Sequence, residues 1–179
     1  MCRPGDASAP TRISNVRPEI FKHLLYYCYG GKIDKEDLRS DSKDIIDAAD
    51  RFGIVHLKLE AEACYVDTVG LTLDSVLEVV TYADSKNLAL LKERCMEFLS
   101  SADKMEVAKK VSFADMPPHL MKDLMVSLAR SEAKTGKKGD LEMMCVSGLR
   151  KLAHEKGLDV DGSREMLIAS IEGDQQDPS

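Results

Sequence analysis

Tryptophan is absent from the 179 residues, and aromatics as a whole supply only 5% of them, a balance common in all-helical interaction modules. Long apolar runs are absent too. None approaches the ~20 residues needed to span a bilayer, and the opening MCRPGDASAP lacks the apolar core of a secretory signal. The expected setting is therefore nuclear or cytoplasmic, with no membrane partner. Cysteine is sparse and shows no pairing pattern: Cys2, Cys28, Cys64, Cys95 and Cys145 are odd in number and scattered, with no C-x-x-C and no histidine at metal-ligand spacing. They read as reduced thiols, with Cys28 and Cys95 on apolar stripes as small core residues. His23, His56, His119 and His154 stand alone in the sequence. No nucleophile–base pair, paired carboxylates, phosphate loop or metal cluster is legible, so the expectation is a protein that is not an enzyme and holds no cofactor or metal. Positive charge is in deficit, with 25 Lys and Arg against 31 Asp and Glu and a net charge of -6. That excludes coating nucleic acid with the whole surface and leaves only a local basic site open.

What the chain does contain is a succession of short amphipathic helices. With 44% hydrophobic residues it has material for a real core, and its length suits one domain plus a small module, or two small domains. In RPEIFKHLLYYCYGGKI, Arg17 to Ile33, Asn15 is the expected cap, Pro18 suits the first turn, and Gly30-Gly31 supply a left-handed stop. Ile20, Phe21, Leu24, Leu25 and Cys28 fall on one face at helical spacing. The consecutive aromatics of Tyr26 to Tyr29 point different ways around a helix, which argues for a split between core and surface rather than a stacking platform. Asp34 to Ser40 reads as a polar connection to Asp41, the expected cap of a second helix with Ile45, Ile46, Ala48, Ala49 and Phe52 inward and Gly53 at its end.

A third helix is predicted to carry Leu57, Ala61, Cys64 and Tyr65. Thr72 is the expected cap of a fourth, with Val76, Leu77, Val79, Val80 and Ala83, and a break at Asp84 to Asn87 precedes a fifth with Leu88, Leu91, Cys95, Phe98 and Leu99. Two more are predicted, around Met105 to Val111 and from Pro117-Pro118 onward with Leu120, Leu124, Met125 and Leu128 inward. SEAKTGKKG then reads as a linker, and Asp140 to Gly173 as two helical patterns joined around GLDVDGS, with Met143 and Met144 packing this unit onto the linker.

ISNVRPEIFKHLLYYCYGGKI is similar to the BTB/POZ family's polar cap, V-x-P-E-x-F, apolar helix and Y-[TS]-G ending, here YGG from Tyr29 to Gly31. DIIDAADRFGIVHLKLEAEACYVDTV resembles the family's next helix pair, and LTLDSVLEVVTYADSKNLALLKERCMEFLSSA resembles the helical extension of the speckle-type POZ group. The match runs from about Ile13 to Ala102. The family's opening strands and helices, with their H-x-x-[IVL]-L-x-x-[RS]-S pattern, have no counterpart here. In the family, the face made by Ile20, Phe21, Leu24 and Leu25 packs on those elements. Leaving four such side chains open would cost on the order of 6–12 kcal/mol, so something covers them. A longer product, a repacking of the remaining helices and another chain are the three alternatives, with a truncated product the favoured expectation. The resemblance also implies that Tyr29 helps contact a cullin scaffold, with a half-buried aromatic at a helix end as the plainer reading.

VSGLRKLAHEKGLDVDGSREMLIASI, Val146 to Ile171, is similar to the SAP motif, with Leu149, Arg150, Leu152, Gly157, Leu158, Gly162, Ser163, Arg164, Leu167 and Ile168 in register. Independently of that likeness, Ser147 is placed to cap the first helix, Gly157 to make the turn, and Gly162-Ser163 to open a second helix with bare N–H groups. The resemblance implies phosphate contacts from Arg150, Lys151, Gly162, Ser163 and Arg164. Glu155, Asp159, Asp161 and Glu165 offset these charges, and Ala169-Ser170 stand where the motif tends to be basic, so a structural or protein-binding role stays open.

The expected architecture is all-α: a flexible leader over 1–12, a partial BTB/POZ helical core over 13–67, a BACK-like helical extension over 68–130, a linker over 131–139, a SAP-like helix–turn–helix module over 140–173 and a disordered tail over 174–179. The expected function is a non-enzymatic adaptor or scaffold, reaching protein partners through Tyr29, Ile20, Phe21, Leu24 and Leu25. A cullin scaffold of a ubiquitin ligase and a BTB partner chain are both open as partners. The alternative is a nuclear nucleic-acid-binding protein in which the terminal module contacts DNA. Whether the chain forms a homo-oligomer is open.

Overall fold

The computed structural model describes residues 14–132 and 141–175, and among them every helix and turn belongs to an all-α chain without a strand. The expected leader, most of the expected linker and most of the tail lie outside the described residues. Helix α1, Pro18–Cys28, starts where proline's fixed φ costs nothing and its missing N–H is not needed. Its cap is Arg17 in extended backbone, not Asn15, which takes a positive φ of 65° two residues earlier. Gly30, at φ 84°, ends the helix as the double glycine predicts. Cys28 at the helix end is exposed, so only Cys95 bears out the core placement of these two thiols.

The polar connection is itself a short helix, α2, Lys35–Ser40, capped by the Asp34 carboxylate, which accepts from the Glu36 N–H at 2.9 Å. It buries no residue, so no apolar period announces it. Helices α3, Ser42–Phe52, and α4, Val55–Thr68, follow, joined by Gly53 in left-handed conformation. Ile20 and Leu24 of α1 meet Ile45, Ile46, Ala48 and Ala49 of α3 and Leu57 and Ala61 of α4 in one buried cluster. Of the four large residues on the greasy side of α1, Ile20 and Leu24 are covered by the chain's own helices, while Phe21 is half-buried and Leu25 is exposed. Arg17 ties the start of α1 to α3 through Asp41, at 2.5 Å, and Asp44.

Helix α5, Val76–Ser85, begins after a turn in which Thr72 and Ser75 exchange hydrogen bonds, each backbone N–H donating to the other's hydroxyl. Helices α6, Ala89–Ser101, α7, Lys104–Lys110, and α8, Pro118–Glu132, complete a second cluster around Val76, Val80, Cys95, Met96, Leu99, Leu120 and Leu124. Burial pushes the Cys95 thiol up to about 12, which keeps it protonated. Helices α9, Val146–Glu155, and α10, Arg164–Gln175, pair around Val146, Leu149, Ala153, Leu167 and Ile171. Ala89 of α6 joins this third cluster, so α9 and α10 rest on the rest of the chain instead of forming a separate bead.

Candidate functional site

Two features stand out once the cores are assigned. The first is the outer side of α1. Ile20 and Leu24 are 1% and 2% exposed, whereas Leu25 is 44% and Tyr29 89% exposed, and Phe52 at the end of α3 is 42% exposed. Phe21 is half-buried and its ring lies 5.9 Å from that of Phe52 in a tilted pair. Phe21, Leu25 and Tyr29 follow one another at four-residue spacing, so with Phe52 they line one side of the α1/α3 pair. Tyr26, also exposed, lies over the close turn at Gly31, where an added Cβ would fall 2.5 Å from the tyrosine ring. Of the five expected partner-contact residues, Phe21, Leu25 and Tyr29 are therefore on the surface, and Ile20 and Leu24 are core.

The second feature is a set of buried charges that sequence reading missed. Lys58 and Glu62, one turn apart on α4, are 3% and 0% exposed. The Glu62 carboxylate accepts from the Leu90 and Leu91 N–H groups at 2.8 and 3.1 Å, which satisfies the open start of α6, and pairs with Arg150 of α9 at 2.8 Å. Lys58 lies between Asp50 of α3, at 3.1 Å, and Asp161, just before α10, at 3.3 Å. The pattern repeats one helix on: Glu93 of α6 accepts from the Val146 N–H at 2.9 Å and so caps α9, where Ser147 was the expected cap. Each cap comes from a neighbouring helix, so the terminal pair is held by charge as well as by apolar contact.

These contacts consume the residues expected to reach phosphate. Arg150 is turned inward to Glu62. The Arg164 guanidinium donates to the Leu141, Glu142 and Met144 carbonyls at 3.3, 2.6 and 3.1 Å, bracing the 3-10 turn before α9. Gly162 is buried at φ 127°, and Ser163 accepts weakly from the Met166 N–H at 3.4 Å. Lys151 alone is open, beside Glu155 at 4.0 Å. The five residues do not converge on one basic surface.

A further polar knot joins α5, α6 and α8. Lys92 lies 3.0 Å from Asp84 and 2.7 Å from Asp123, and His119 lies 2.7 Å from Asp84. Burial opposes ionisation of Asp84, but the hydrogen bonds from His119 and Lys92 prevail and hold its carboxyl below the ordinary range. Among the described residues, no group of three His, Cys, Asp or Glu side chains is gathered to hold a metal ion, and no helix is long and apolar enough to cross a membrane.

Residues 4–67 match the family model of the BTB/POZ domain, which takes in α1 to α4. Two mouse proteins, TD and POZ domain-containing protein 1-like and TD and POZ domain-containing protein 1, are each 26% identical to the chain over 145 residues, 80% of this chain and 38% of theirs. The leucine-zipper-like transcriptional regulator 1 homolog of Drosophila melanogaster is 28% identical over 119 residues, 64% of this chain and 12% of that protein. The chain thus spans well under half the length of each of these relatives.

Proposed function

We propose that the chain is a non-enzymatic protein-interaction adaptor whose docking face is the Phe21, Leu25, Tyr29 and Phe52 side of α1 and α3. The observation that carries this reading is the contrast within one helix: Ile20 and Leu24 are closed off by α3 while Leu25 and Tyr29 stay in water. Exposed apolar groups gathered on one side, with a tyrosine among them, are what a partner buries first. The BTB/POZ match over this region and the POZ names of the mouse relatives support an interaction role.

In this reading the partner is the cullin scaffold of a ubiquitin ligase, met in the nucleus or cytoplasm, and Tyr29 is the central contact. The likeness of 71–102 to the helical extension of the speckle-type POZ group supports that choice. The terminal pair, which resembles a SAP motif, serves as a brace on α4 and α6, since Arg150 and Arg164 are engaged within the chain. Titration calorimetry of the chain with a cullin amino-terminal domain tests the proposal. Saturable heat that Leu25→Asp and Tyr29→Ala each abolish supports it. Absence of heat removes the cullin, and heat unaffected by both substitutions removes the α1 face.

A further inference from the structure

On another side of the molecule, a cleft of about 260 Å³ opens between α6, α8 and α10. Its apolar lining comes from Ala89 and Met96 of α6, Val126 of α8, and Ile168 and Ala169 of α10. Apart from Ser127, its remaining lining is charged and unbalanced. Six carboxylates, of Glu93, Glu97, Asp123, Glu142, Glu165 and Glu172, face three cations, of Lys92, Lys122 and Arg164. Lys92 pairs with Asp123 of the lining and with Asp84 outside it, and Arg164 also donates to backbone carbonyls, so carboxylates still outnumber cations along the cleft. Glu97 and Glu172 are exposed on opposite walls, α6 and α10. Glu165 is held ionised below the ordinary carboxylate range: burial works against the charge, but its own backbone N–H, the Ser163 hydroxyl, Lys92 and Arg164 outweigh it.

An apolar slot ringed by ionised carboxylates is complementary to one kind of ligand, a side chain of aliphatic shape flanked by cations. We infer that the α6/α8/α10 cleft is a docking site for a basic segment of a partner protein, one that inserts an aliphatic anchor between Met96, Val126 and Ile168 and sets lysines or arginines against Glu97, Glu165 and Glu172. No residue of α1 lines the site, so it gives the adaptor a second, chemically distinct surface. It depends on the terminal pair being docked, because α10 forms one wall.

The test uses the full chain and a fluorescein-labelled peptide, KLKKLK, followed by fluorescence anisotropy, with KSKKSK and ELEELE as comparison probes. Saturable binding of KLKKLK, with KSKKSK and ELEELE each weaker by at least about tenfold, is the expected result. Glu97→Lys with Glu172→Lys weakens KLKKLK binding by a similar factor, whereas Asp67→Lys with Asp74→Lys, which changes the net charge equally outside the cleft, leaves it in place. Unaltered helical circular dichroism in both double variants separates loss of the site from loss of the fold. Equal losses in the two double variants, or equal binding of KLKKLK and KSKKSK, would mean general attraction to an acidic protein and would overturn the inference. So would absence of binding.

Discussion

Glu62 on α4 and Arg150 on α9 are 88 positions apart in the chain and 2.8 Å apart in space, and the carboxylate between them is wholly buried. The same carboxylate closes the start of α6. One side chain therefore joins the region matched to BTB/POZ, the helical extension and the terminal pair.

Removing the cation should be more damaging than neutralising the anion. Arg150→Met leaves an uncompensated buried carboxylate and is expected to cost about 3–5 kcal/mol. Glu62→Gln keeps an amide oxygen to accept from Leu90 and Leu91 and is expected to cost less. Urea denaturation of both single variants and the double variant measures the coupling, expected at roughly 0.5–3 kcal/mol; additive losses would show that the pair does not act as a unit.

The two sides of α1 should answer differently to the same change. Ile20→Ala opens a cavity in the first cluster and is expected to cost about 2–5 kcal/mol. Leu25→Ala removes a side chain that is already largely in water and should alter stability by no more than about 0.5 kcal/mol. Thermal melts of the pair decide it, and similar losses would show that α1 is buried on both sides.

Acid should weaken the α5/α6/α8 junction through Asp84. Its folded-state pKa is depressed below the 3.8 of a free aspartate. Its contribution is therefore complete above that value and is lost as pH falls through the lower folded-state pKa. Asp84→Asn should lower stability near neutrality and flatten the fall in melting temperature between neutral pH and about pH 3. An acid limb with the same slope in both proteins would contradict the assignment.

Arg164 should matter to folding of the terminal pair. Its bonds to the Leu141, Glu142 and Met144 carbonyls hold the turn from which α9 departs. Arg164→Ala is expected to destabilise this unit by roughly 1.5–3 kcal/mol. Native-state hydrogen exchange should show the loss at Leu149 and Leu167 amides and not at Ile45 or Ile46. A uniform loss across all three clusters would indicate that the terminal pair unfolds only with the whole chain.

Much of the helix inventory was legible because period and punctuation agree. Gly30 and Gly53 end α1 and α3 with the positive φ that glycine favours, and Thr72 begins the turn into α5. Helix α2 was hidden because its one apolar residue, Leu38, is only partly buried and so leaves no apolar stripe. Asn15 and Ser147 looked like caps because their side chains suit that role, yet α1 starts from Arg17 and α9 is capped by Glu93 from another helix. The surface of α1 was half legible: spacing placed Ile20, Phe21, Leu24 and Leu25 on one broad side but did not say where α3 would cut across it.

The amino-acid order by itself determined that the chain is helical, where most helices begin and end, and which side chains are apolar enough to seek cover, since these follow from local backbone preference and periodicity. Only the tertiary structure decided which charges are buried. Lys58, Glu62 and Arg150 look like solvated surface in a string of letters, because a charge is drawn inward only when a counter-charge or an open helix end waits at the right place, and that place is set by segments far along the chain, as Lys58 and Asp161 show at a separation of 103 and Glu62 and Arg150 at 88.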